Sequence, residues 1–237
     1  MARTRTLANM RSDAYKRSDN EGTDASDGRH PTADVTRYVN QGCAELWDLL
    51  IEARGPEYYR VSPSYSITTT ADTDSYTLPA AFYMLISVRL SGDMGAPLVP
   101  FTAQDEPVLR HTDRQGGLPT HYQLQRTNAT SSQNKLVVLP EHDANLTLVV
   151  DYVPSFTDLS ADGDLFDGLN GWEEYAVLFA ARCMAVKDEE WELVRALDSD
   201  MDRMRQRIMR LAPKRDMHRA RRVKDVRGPV AMAKRWW

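Results

Sequence analysis

The chain has 237 residues, 42% of them apolar, with 30 Lys+Arg against 34 Asp+Glu for a formal charge of −4. That length allows one or two domains with a sizeable core, and the lack of any apolar run near about 18 residues excludes a transmembrane helix. The charge is divided: Arg203 to Trp237 holds 13 Lys/Arg against 2 Asp/Glu (+11), leaving 17 basic against 32 acidic residues (−15) in the rest, which excludes a uniformly basic nucleic-acid coat.

In chain order, residues 4–17 read as a short helix with Leu7, Met10 and Ala14 on one side. Positive charge at the N-terminus has no apolar stretch behind it, so a secretory signal is not expected and synthesis in the cytoplasm is. Residues 18–31 are polar, with two glycines and a proline, and form a loop. A second helix is expected over 33–54, with Thr32 as its cap and Asp34 in the positive first turn. Val35, Val39, Gly42, Leu46, Leu49 and Ala53 give it one apolar stripe, widened by Tyr38 and Trp47. Gly42 allows a close neighbour there, and Gly55-Pro56 ends the helix.

From residue 58 to 153 the apolar period falls to two, as in strands. Segments around Tyr65–Thr69, Tyr76–Leu78, Phe82–Leu90, Tyr122–Leu124, Leu136–Leu139 and Leu146–Tyr152 are separated by turn-rich breaks, with residues 101–117 as a long loop. Residues 154–171 lead back to a helix over 172–187, whose wide stripe from Trp172 to Met184 implies burial on more than one side. A last helix over 189–211 carries a narrow seam at Val194, Leu197, Met201, Met204, Ile208 and Leu211. The expected class is α+β: a small helical bundle (residues 1–212) with an inserted antiparallel β module at 58–153, followed by an extended C-terminal arm, 213–237. The arm has no periodicity and reads as disordered in the free chain.

Catalytic patterns are absent: no H-E-x-x-H, G-x-S-x-G, Walker A or dinucleotide fingerprint occurs, and two cysteines, Cys43 and Cys183, read as reduced core thiols. Asp162, Asp164 and Glu173 match three positions of a calcium loop, but Phe166 and Asp167 stand where an oxygen ligand and the turn glycine belong. An acidic approach to a helix N-terminus, with Asn170 as cap, explains the stretch better. Glu173 and Glu174 are adjacent on a helix and do not face one another as an acid/base pair would. No catalytic residue, metal or cofactor is assigned.

The arm admits three readings: a solvated tail, a nucleic-acid contact through its clustered Arg, or a protein-docking peptide. Two terminal Trp favour docking, since Trp and Arg dominate interface hot spots. Its docking residues would be Arg219, Arg221, Arg222, Val223, Val226, Arg227, Val230, Lys234, Arg235, Trp236 and Trp237. The seam of the last helix is explained by an internal core, whereas Arg203, Arg207 and Arg210 on its other face suit the acidic surface of a neighbouring copy.

Several blocks together resemble a known family. They are Thr36-Arg-Tyr-Val-Asn-Gln-Gly-Cys-Ala-Glu-Leu-Trp-Asp-Leu-Leu-Ile-Glu-Ala-Arg-Gly-Pro-Glu-Tyr-Tyr59, Asp74-Ser-Tyr-Thr-Leu-Pro-Ala-Ala-Phe-Tyr-Met-Leu85, Leu118-Pro-Thr-His-Tyr-Gln-Leu124, Lys135-Leu-Val-Val-Leu-Pro140, Val150-Asp-Tyr-Val-Pro154 and the run from Leu159 to Tyr175. In this order, along residues 33–211, they resemble the phage head-to-tail adaptor (connector) proteins. The resemblance implies a non-enzymatic virion protein at the neck, below the portal vertex. It implies a homo-oligomeric ring, commonly of twelve copies, that extends the DNA channel and binds no particular DNA sequence. It further implies docking of the C-terminal segment on the portal protein, a tail or nozzle/stopper protein below, and no membrane partner. A nucleic-acid-binding protein acting through the arm, and a virion enzyme that cleaves peptidoglycan, are the alternatives.

Overall fold

The computed structural model describes residues 5–20, 29–92, 97–112, 118–128, 131–141, 145–166 and 171–212. Outside them lie most of the acidic loop, the expected Asn170 cap and the whole arm. The elements are α1 (Leu7–Arg17), α2 (Thr32–Arg54), a 3₁₀ turn (Pro56–Tyr59), β1 (Tyr65–Thr68), β2 (Ser75–Thr77), β3 (Phe82–Leu90), β4 (Val99–Pro100), α3 (Glu106–Thr112), β5 (His121–Asn128), β6 (Ser131–Leu139), β7 (Thr147–Pro154), α4 (Glu174–Lys187) and α5 (Trp191–Leu211). This is the expected α+β class, with helices α1, α2, α4 and α5 packed together and a β module between α2 and α4.

The bundle core follows the sequence stripes. Leu7, Met10 and Ala14 of α1, Val35, Val39, Cys43, Leu46 and Leu50 of α2, and Trp172, Ala176, Ala180 and Met184 around α4 share one buried cluster. At Gly42 an added Cβ would stand 2.8 Å from the Ala176 Cα, so only glycine lets the two backbones come this close. Helix α4 is covered on two sides. One side meets the main core, while Leu178, Ala181 and Ala185 meet Val194 and Leu197 of α5. The seam of α5 is therefore consumed within the chain, with Ile208 fully buried and only Leu211 left exposed.

Helix ends differ from expectation by one to three residues: α1 starts at Leu7, α4 at Glu174 and α5 at Trp191. Thr32 is not the cap of α2. Pro31 holds that position without a side-chain bond, and the Thr32 carbonyl accepts from Thr36 Oγ1 at 2.8 Å. Proline suits the start of a helix because it has no N–H to leave unsatisfied.

The β module is two sheets, ordered β1-β7-β3 and β2-β6-β5-β4. All pairings are antiparallel except the two-residue β4–β5 contact, which is parallel. Ile67, Val88, Leu90, Leu148 and Val150 from the first sheet face Tyr76, Leu136 and Val138 from the second. The segment 101–117, expected as loop throughout, contains α3, whose Leu109 packs beside Phe101 on Val137 and Leu139. Both faces of β6 are thus covered, which accounts for the unbroken run Leu136-Val-Val-Leu139. Strands β5 and β6 also reach to Asn128 and from Ser131, leaving a shorter break than the turn residues suggested.

Candidate assembly surfaces

The stretch that resembled an ion-binding loop has a structural use. Asp164 accepts backbone bonds from Ser160 and Ala161, each at 2.8 Å, which holds its carboxyl below the usual range. Its own carbonyl accepts from the Leu7 N–H, and Asp162 pairs with Arg11, so the segment is stitched to α1. Glu173 is fully buried, whereas Glu174 receives Arg5 at 2.5 Å and Arg17 at 2.6 Å. The two acids do different work in different surroundings, and neither faces the other across a reaction site. Among the described residues no group of His, Cys, Asp and Glu could hold a metal ion, and no described helix is long and apolar enough to cross a membrane.

Two further carboxylates are locked in polar networks. Burial alone would raise the Asp151 pKa, but hydrogen bonds from Ser64 (2.5 Å) and Ser87 (2.9 Å), with Arg60 and Arg89 beyond, outweigh it and lower the value. Asp188, at the end of α4, is likewise lowered: burial is overcome by bonds from His30 (2.8 Å) and Asn20 (3.2 Å) and by the Arg29 charge. Burial pushes the Cys43 thiol up to about 12, which makes it an inert core group. Tyr175 is pushed up to about 12 by burial and by Glu45, to which it donates at 3.0 Å.

The surfaces left over are of two kinds. Between the sheets, a cleft of about 500 Å³ is lined by Tyr83, Met84, Phe101, Tyr122 and Leu124. On α5 the face away from the seam is charged. Arg203, Arg207 and Arg210 are all exposed there. Arg203 is held by Asp200 at 3.1 Å, while Arg207 and Arg210 have no ion-pair partner among the described residues. At the other end of the helix, Trp191 is 58% exposed in a groove with Asp19, Glu189, Glu190, Glu192 and Leu193. Sequence reasoning missed this groove. The signal was present: a step of four back from Val194 reaches Glu190, so Trp191 stands beside the seam rather than on it. The eleven arm residues, from Arg219 to Trp237, lie outside the described residues.

The model of the SU10 adaptor protein family matches residues 5–232. The chain belongs to this family of phage head-to-tail adaptors. No curated protein matches the chain. Family membership makes it a structural component of a virus, acting as a connector between head and tail near the neck. Interaction with portal or tail components, and self-assembly, come with that role.

Proposed function

We propose that the protein forms a homo-oligomeric ring, twelve copies by family resemblance, beneath the portal protein at the DNA-exit vertex. Residues 1–212 act as one folded core and 213–237 as an arm that docks on the portal through Arg219, Arg221, Arg222, Val223, Val226, Arg227, Val230, Lys234, Arg235, Trp236 and Trp237. The ring extends the channel, lets DNA pass without reading its sequence, and offers a platform to a tail or nozzle/stopper protein. The chain is made in the host cytoplasm and joins the particle at the neck.

The observation that carries this reading is the family match, which covers the core and continues through most of the arm to residue 232. The charge division supports it. An acidic body in a channel does not hold a polyanion by counterion release, as a basic lining would. An arm that orders on its partner wraps a large surface with few residues. Arg203, Arg207 and Arg210 serve contacts between neighbouring copies.

Deleting residues 213–237 is expected to leave the circular dichroism spectrum and melting of the core unchanged and to abolish portal binding in a pull-down. Retained portal binding by the truncated protein would sink the docking role. Salt-sensitive binding of the full chain to free DNA in a gel shift, lost on truncation, would favour the nucleic-acid reading instead.

A further inference from the structure

The outward face of α5, with the turn that leads into it, is charged in opposite senses at its two ends. Glu189 and Glu190, just before the helix, cluster with Glu192 and the exposed Trp191, with the exposed Arg195 a turn further on, and Arg203, Arg207 and Arg210 lie near the other end. Glu192, Arg203 and Arg210 are close to three and five whole turns apart and so lie along one line of the helix. Among the described residues none of Asp19, Glu189, Glu190, Glu192, Arg207 or Arg210 has an ion-pair partner. Glu192 and Arg210 are separated by about 27 Å along a straight helix, so the two ends cannot satisfy each other within one molecule.

We propose that the Trp191 groove of one copy receives Arg207 and Arg210 of the next copy, making a head-to-tail lateral contact of the ring. This rests on the ring reading above and names its surfaces. The chemistry fits arginine in particular. A guanidinium stacks on an indole face while its edge N–H groups pair with carboxylates, and the groove supplies Trp191 between Glu189, Glu190 and Glu192. An exposed Trp flanked by charge is the composition of an interface anchor. The two halves differ, so the contact is heterologous: each copy uses its acidic end on one neighbour and its basic end on the other, and the chain of contacts closes as a ring.

The test uses virus particles assembled with a chain carrying Glu192→Cys and Arg207→Cys in a Cys183→Ser background, treated with a short bismaleimide. A ladder of covalent multimers extending beyond the dimer is expected, and either single cysteine variant should give none. A product that stops at the dimer means a two-fold contact and overturns the proposal. Protein present in the particles but never crosslinked also overturns it, leaving the ring reading intact. Folded variant and wild-type protein both missing from particles would instead overturn the head-to-tail role itself. Should the first pair of substitutions fail to fold, Glu190→Cys with Arg210→Cys asks the same question. As a second measurement, chains carrying Glu190→Arg and Glu192→Arg, and chains carrying Arg207→Glu and Arg210→Glu, should each fail to enter particles and recover when mixed. Failure of the mixture to recover overturns the charge pairing.

Discussion

The helical bundle and the β module reach stability by different means. In the bundle, small residues let backbones approach until Gly42 nearly touches Ala176, and one cluster runs through α1, α2, α4 and the end of α5. The module divides its apolar residues between an inner layer and the cover provided by α3, and leaves the Tyr83–Met84–Leu124 cleft open. A closed core specifies a rigid frame. An open one leaves surface for partners, and the difference marks where the molecule can give way and where it cannot.

The sharpest way to break this contrast is to excavate the bundle. Trp172→Ala removes a fully buried indole and is expected to cost about 3–5 kcal/mol. If the chain is one cooperative unit, helical and near-ultraviolet signals will fall together in chemical denaturation. Two separate transitions would show that the module stands alone. Leu148→Ala, in the layer between the sheets, should cost about 2–4 kcal/mol and shift the same transition. Gly42→Ala sets the helix-propensity gain of about 1 kcal/mol against a clash with backbone, and a net loss of about 1–3 kcal/mol is expected in the melting profile.

Acid should act on both regions. Asp151 in the module and Asp188 in the bundle have folded-state pKa values below their ordinary ones. Their contribution is complete above the unfolded value of about 3.9 and is lost as pH falls through the folded values. The melting temperature should therefore drop below about pH 4, less steeply in Asp151→Asn, although that variant starts from a lower value at neutral pH. The smallest effect expected is that of Tyr83→Phe, which removes the bond to Asp48 at an exposed site and should cost about 0.5 kcal/mol or less.

The bundle was legible in the sequence because its stripes obey one period over long helices. Val35 to Leu49 and Val194 to Ile208 announce their buried faces by spacing alone. Helix α3 was not legible. Seven residues with a single inward anchor, Leu109, give no period to read, and Arg110 holds them through Asp74, Glu106 and Glu141, which lie in three places along the chain. The division of the strands into two sheets depends on pairings between distant segments, such as β1 with β7, which local alternation does not encode. The exposed arginines of α5 were visible as charges. The run Glu189-Glu190-Trp191-Glu192 was as visible, but the place of Asp19 beside Trp191 depends on the packing of α1 on α4.

The chain leaves the bundle after the 3₁₀ turn and returns along β7, and the two passages are joined where the Val61 N–H donates to the Tyr152 carbonyl at 3.0 Å. Further ties cross the same boundary: Tyr83 donates to Asp48 of α2 at 2.7 Å, the Trp47 indole donates to the Pro154 carbonyl at 3.2 Å, and Val153 is buried in the bundle cluster. Insertions at the far turns of the module would leave these ties, and with them the directions of α2 and α4, in place, whereas exchanging the module whole would sever them.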